Sequence, residues 1–272
     1  MTILDELADY ARERVTDAKR KVPEANMRRA AEEASAAQAC ETKRLDAALS
    51  GPGMHFICEC KKASPSKGLI APEFPYRTIA REYEEAGADA ISCLTEPKWF
   101  LGRDEYLREI AGEVSVPVLR KDFTVDPYMI WQAKVLGASA ILLIAAILDQ
   151  TELSEYMEIA GGLGLSVLAE AHDEREIERV LDAGASIIGV NNRDLKTFHV
   201  DTDRSARLRG LVPENVIFVA ESGIRNAEDV AALSAIGVNA ILVGETLMRS
   251  NDKKAMLKEL KSGAASAGTI QG

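Results

Sequence analysis

The side chains in this chain best suited to moving protons stand at the ends of short apolar runs. Glu59 and Lys61 close the run 56–61, Lys121 ends Val118-Leu119-Arg120-Lys121, and Glu170 ends Val167-Leu168-Ala169-Glu170. Asn191 and Arg193 end another, and Glu221 with Ser222 follows the run 216–220. Two lysines and several glutamates are acids and bases whose pKa values burial and mutual charge can push apart. Any one of these charges could sit at a solvated strand end, where most charged residues lie. Gathered in one place they would be costly to desolvate unless a ligand used them.

A repeat is what would gather them. Glycine, a small residue, a polar residue and an apolar strand recur as Gly87-Ala88-Asp89-Ala90-Ile91, Gly137-Ala138-Ser139-Ala140-Ile141, Gly184-Ala185-Ser186-Ile187-Ile188 and Gly237-Val238-Asn239-Ala240-Ile241. The glycines are spaced 50, 47 and 53 residues apart. That period is one βαβα unit, and four units make eight strands. The strands are expected at 56–61, 90–94, 116–121, 140–145, 166–170, 187–191, 216–220 and 240–243. Most are continuous apolar runs, as in parallel strands buried on both faces. Amphipathic helices are expected between them, for example at 75–86, 126–136, 151–163 and 173–183, with a last one at 252–261.

The 272 residues suit a single (β/α)₈ TIM barrel, for which about 250 is typical. The expected fold class is therefore α/β, with an N-terminal helical extension. Residues 1–50 would form that extension (helices at 3–21 and 26–49) and could act as a lid over the barrel mouth. Residues 51–262 would form the barrel and 263–272 a flexible tail.

Side chains two apart on a strand share a face. Glu59 and Lys61 then point into the barrel, while Cys58 and Cys60 face the helices as small hydrophobes. The carboxyl ends of all eight strands surround one mouth, where barrel enzymes keep their active sites. Glycines in Glu221-Ser222-Gly223-Ile224-Arg225-Asn226 and Gly244-Glu245-Thr246-Leu247 follow strands seven and eight, the loops that frequently hold phosphate in this fold. Ser64-Pro65-Ser66-Lys67-Gly68 after strand one is a further anion candidate or a plain turn.

Net charge of −10 and a pI near 5.0 argue against nucleic acid or an anionic membrane as partner. No apolar run approaches the roughly 20 residues of a membrane span. Asp5, Glu6 and Asp9 are unlike a secretory signal. Four scattered cysteines and three scattered histidines form no disulfide scaffold or metal-ligand pattern. The expectation is a cytoplasmic protein without a metal site.

Four segments together resemble the indole-3-glycerol phosphate synthase family of tryptophan biosynthesis. They are Glu59-Cys60-Lys61-Lys62-Ala63-Ser64-Pro65-Ser66, Leu119-Arg120-Lys121-Asp122-Phe123, Gly189-Val190-Asn191-Asn192-Arg193-Asp194-Leu195 and Val219-Ala220-Glu221-Ser222-Gly223. The likeness runs from about Phe56 to Arg249 and is weakest before Gly51. It implies a lyase that closes a ring on 1-(2-carboxyphenylamino)-1-deoxyribulose 5-phosphate, giving indole-3-glycerol phosphate, carbon dioxide and water without a cofactor. By this resemblance Lys121 is the general acid at the ketose carbonyl and Glu170 the general base in dehydration. Lys61, beside Glu59, binds the carboxylate and shares proton donation with Lys121. Asn191, Glu221 and Ser222 hold hydroxyls and orient catalytic groups, and Arg193 lies near the carboxylate. Ser64, Gly223, Gly244 and Glu245 contact phosphate. Phe100, Phe123, Leu142 and Leu195 form the slot for the aromatic ring, though plain core packing reads equally well from the residues alone. The partner implied is a small phosphorylated molecule, and the state a monomer or weak homodimer. The competing readings are another phosphosugar barrel enzyme and a barrel that binds a phosphorylated metabolite without turning it over.

Overall fold

The computed structural model describes residues 2–37, 43–193 and 199–267, and in it each repeated glycine ends a helix. Gly87, Gly137, Gly184 and Gly237 have φ between 78° and 88°. Paired backbone bonds close each turn, as where Gly87 N–H donates to Glu84 O and Ala88 N–H to Tyr83 O. A residue without a β-carbon takes this left-handed cap at least cost. The polar residue two places on can then tie neighbouring strands together. Asp89 accepts the Phe56 N–H at 2.8 Å, and Asn239 accepts the Phe218 N–H at 2.8 Å.

Eight parallel strands close into the barrel in sequence order. They are β1 (His55–Cys60), β2 (Ala90–Leu94), β3 (Val118–Lys121), β4 (Ala140–Ile144), β5 (Ser166–Ala171), β6 (Ile187–Asn191), β7 (Ile217–Glu221) and β8 (Ala240–Val243). Helices α1 (Ile3–Lys21), α2 (Glu24–Ala37) and α3 (Leu45–Ala48) precede them. Around the barrel run α4 (Tyr76–Glu85), α5 (Asp104–Glu113), α6 (Pro127–Val135), α7 (Gln150–Gly162), α8 (Glu174–Asp182) and α9 (Asp203–Arg209). α10 (Ala227–Ala235), α11 (Glu245–Arg249) and α12 (Lys253–Ala267) complete the set. Cys58, Cys60 and Cys93 are buried free thiols, and burial pushes their pKa values up, as expected of inert core residues. Among the described residues, no helix is long and apolar enough to cross a membrane.

Most boundaries fall within one or two residues of expectation, and two helices differ by more. Of the single helix expected at 26–49, the described residues give α2 and the short α3, residues 43 and 44 are not helical, and residues 38–42 lie outside the described residues. Leu45 is fully buried, its N–H donates to Ser166 Oγ at 3.2 Å, and that hydroxyl donates to Asp46 Oδ1 at 3.1 Å. These contacts fasten the start of α3 to the first residue of β5. The last helix runs past 261 to Ala267. Gly263 does not stop it, because its role is close packing: a β-carbon there would collide with the Ala227 carbonyl at the start of α10.

The N-terminal helix α1 begins with a capping box at Thr2 and Asp5 and buries Leu4, Leu7, Ala8, Ala11 and Val15. Arg14 on α1 grips Asp122 with contacts of 2.6 and 3.1 Å, and Lys19 reaches Asp126 at 2.9 Å. Asp122 directly follows Lys121, so α1 is fastened beside the barrel mouth.

Candidate active site

The strand ends open into one cavity of about 800 Å³. Lys121 enters from β3, Glu170 from β5, Asn191 from β6 and Glu221 from β7, with Glu59 from β1 and Lys61 just beyond it. Loops after the strands add Ser64, Phe100, Phe123, Arg193, Ser222, Gly223, Gly244 and Glu245, and β4 adds Leu142. Leu195 lies outside the described residues. Every other residue singled out from the sequence therefore meets the rest around this one space.

Electrostatics at its centre turn on one ammonium between two carboxylates. Lys121 Nζ lies 3.2 Å from Glu170 Oε2 and 3.1 Å from Glu221 Oε2. Burial alone would lower the lysine's pKa, but Glu221, Glu170 and Glu59 outweigh it and hold the group charged well above its ordinary range. Burial would raise both carboxylates. Glu170 has a second cation, His172, whose Nε2 is 3.2 Å from Oε1, and the two cations hold Glu170 well below the usual carboxylate range. Glu221 has a share of Lys121 and an Oε1 without a hydrogen-bond partner among the described residues. Burial and the charge of Glu170 push it up to about 7. Glu170 is thus the firm base form of the pair, and Glu221 the carboxyl that holds its proton more readily. Beside them Lys61 Nζ is 2.5 Å from Glu59 Oε1.

Missing side chains make room for these carboxylates. A β-carbon at Gly189 on β6 would collide with Glu221 Oε1, and one at Gly244 would collide with Glu59 Oε1. Gly244, expected only as a phosphate turn, therefore also admits Glu59.

The two ends of the cavity differ in character. At one end Phe100 and Phe123 lie 6.1 Å apart between ring centroids, with Ile3 and Leu7 of α1, Leu94 and Leu142. Glu96 fixes the loop that delivers Phe100 by accepting the N–H groups of Lys98, Trp99 and Phe100 at 2.8 to 2.9 Å. At the other end Glu245 gathers Arg249 at 3.1 Å, Lys67 at 3.4 Å and Arg193 at 3.6 Å. Cations outnumber the carboxylate there, which suits an anion. The turn below it is strained, since Ser222 has φ 65° and Gly223 φ 83°. Asn192 holds that turn, donating to Ser222 O at 3.2 Å while its Oδ1 accepts from Ser205 Oγ at 2.8 Å.

Sequence reasoning missed His172, Glu96 and the α1 residues Ile3 and Leu7. His172 stands two places after Glu170, so strand alternation was a signal for it. Glu96 and the α1 contacts depend on how loops and the extension pack, which carries no local periodicity.

A family model described as indole-3-glycerol phosphate synthase matches residues 4–260. The indole-3-glycerol phosphate synthase of Ruminiclostridium cellulolyticum is 52% identical over 262 residues, covering 96% of this chain and 100% of its own. That of Lacticaseibacillus casei is 56% identical over 216 residues, covering 79% of this chain and 83% of its own. Among solved structures, 3-hexulose-6-phosphate synthase from Salmonella typhimurium matches with a TM-score of 0.62 at 13% identity. It covers 79% of this chain and 100% of that one, a likeness of fold alone.

Proposed function

The chain belongs to the indole-3-glycerol phosphate synthase family, and from that premise we propose how its residues divide the chemistry. The reaction is ring closure, decarboxylation and dehydration of 1-(2-carboxyphenylamino)-1-deoxyribulose 5-phosphate to indole-3-glycerol phosphate. It cleaves a carbon–carboxylate bond, which makes the enzyme a carboxy-lyase. The observation that carries the assignment is the Lys121 ammonium held between Glu170 and Glu221, in a cavity that both the Phe100–Phe123 pair and the Glu245 cation cluster line.

The aromatic ring lies in the slot of Phe100, Phe123 and Leu142, and the phosphate at the Ser64, Gly223, Gly244 and Glu245 end. Fixing both ends bends the chain so that the ring carbon bearing the carboxylate faces the ketone. As that carbon attacks, the carbonyl π electrons move to oxygen and Lys121 delivers its proton. Lys61, paired with Glu59, holds the carboxylate, with Arg193 nearby. The apolar surround favours its departure as carbon dioxide, whose bonding electrons restore the aromatic ring. The new hydroxyl then leaves as water with a proton from the lysine pair. Glu170 takes the proton that the ring carbon beside nitrogen must lose. Once Lys121 has given its proton away, one of the two cations depressing Glu170 is gone, so the base strengthens at the step that needs it. Asn191, Glu221 and Ser222 hold the substrate's hydroxyls and keep the charged groups oriented. We infer that α1 serves as a lid, since Ile3 and Leu7 line the cavity and Arg14 fastens the helix to Asp122, the residue after Lys121.

Single-turnover assay of Glu170→Gln tests the division of roles. Expected is release of carbon dioxide with indole fluorescence delayed by the roughly 10²–10⁴-fold of a lost general base. Progress curves that match the wild type would remove Glu170 from the mechanism.

A further inference from the structure

His172 is a half-buried titratable group that the scheme above leaves idle. It follows β5 directly and lies behind Glu170, outside the lining of the cavity. Its Nδ1 is 2.9 Å from Glu176 Oε2, and its Nε2 is 3.2 Å from Glu170 Oε1 in an ion-pair contact rather than an aligned hydrogen bond. Glu176 also accepts the backbone N–H of His172 at 2.8 Å. The Glu176 N–H in turn donates to Asp173, the N-cap of α8, at 2.8 Å. The carboxylate that grips the imidazole is thus fixed in the first turn of a helix.

An imidazole with a carboxylate at each nitrogen carries a proton on both. Burial works against that charge, but Glu170 and Glu176 outweigh it and push the ring's pKa up to about 10. The charged groups that face it are Glu170 from β5 and Glu176 from α8. Lys121 stands on the far side of Glu170, and Arg179 of α8 turns to the carbonyls of Ala145 and Leu148.

We propose that His172 is a positioning residue, a cation clamped by Glu176 that holds the Oε1 edge of Glu170 so that Oε2 stays on Lys121. The contact is a wedge. It locks the rotamer of the carboxylate from outside the cavity and keeps it ionised while Lys121 is charged. The proposal rests on the reading of Glu170 as the base, and its test separates the two.

His172→Gln keeps a polar side chain and removes the cation. Expected is a fall in kcat on the order of tenfold, the scale of groups that orient a reactive ligand, with KM little changed. The acidic limb of the kcat–pH profile should move to higher pH, because Glu170 then protonates more readily. Glu176→Gln, which loosens the clamp but leaves the ring, should move the profile the same way by less. If His172→Gln fails to fold, the Glu176→Gln profile and the ring's NMR titration in the wild type decide. Protonation of the ring through neutral pH, lost on Glu170→Gln, supports the wedge. A wild-type ring titrating near its ordinary 6.5, or unmoved pH profiles in both variants, overturns it. Full activity of Glu170→Gln would instead sink the base assignment while the NMR coupling still reported the contact.

Discussion

At the amino-terminal rim of the barrel Asp89, Asn239 and Ser166 tie down backbone N–H groups, whereas at the centre of the mouth Lys121, Glu170 and Glu221 face one another. Asp89 accepts the Phe56 N–H and contacts His55 Nδ1 at 3.1 Å. Asn239 accepts the Phe218 N–H, and Ser166 accepts the Leu45 N–H. Each bond satisfies a donor that burial would otherwise strand. At the mouth, two buried carboxylates compete for Lys121, a Glu221 oxygen lacks a partner among the described residues, and Ser222 takes a left-handed backbone. Those features are unfavourable in the free protein. Polar groups spent on the backbone mark architecture. Charges that only face other charges mark a site kept ready for a ligand.

The sharpest way to break that contrast is Lys121→Ala. If the mouth serves chemistry, turnover should fall by roughly 10²–10⁴-fold, measured by indole fluorescence, while circular dichroism and the unfolding midpoint stay near wild type. The abandoned carboxylates can take up protons and so limit the damage to folding. A protein that unfolded while its residual folded fraction remained active would reverse the reading of the two rims.

Both rims were legible in the chain, for different reasons. The base follows from a local rule: a glycine cap, a small residue and a polar residue recur because each helix must stop and each strand must be tied at the same height. The mouth follows from alternation, since residues 59 and 61, or 191 and 193, share a face and have nowhere to point but inward. What could not be read depends on contacts distant in sequence. Glu96 caps a loop without any periodic signal, and Arg14 meets Asp122 across 108 residues. Leu45 meets Ser166 across 121 residues, a contact the helical composition of 26–49 does not signal. Gly189 reads as an ordinary strand residue in the sequence, because the Glu221 carboxylate that lies across it comes from the next strand.

Asp89→Ala probes the other rim. It leaves the Phe56 N–H buried without its acceptor, which costs about 1–3 kcal/mol, and it removes the carboxylate beside His55. Denaturant unfolding should show that loss with an unchanged slope, while kcat/KM stays at the wild-type value. A drop in activity matching the drop in stability would mean the rims are not separable, and that strand ties at the base set the geometry of the mouth.

Glu221→Gln weighs the mouth directly. Glu221 has a folded-state pKa raised from 4.5 to about 7, so the native protein binds its proton more tightly than the unfolded chain does. As pH rises from 4.5 the unfolded state loses that proton first, and stability declines until the folded group has also titrated, near 7. Above that the penalty is constant. Glu221→Gln removes the titration and leaves Lys121 paired with Glu170. The variant should therefore gain on the wild type across this window, with no relative gain below it and a plateau above, as read from unfolding midpoints at a series of pH values. A gain that persisted unchanged below pH 4.5 would point to packing rather than charge. A variant less stable than wild type at neutral pH would mean that Glu221 supports the barrel, and the line between the two rims would have to be redrawn.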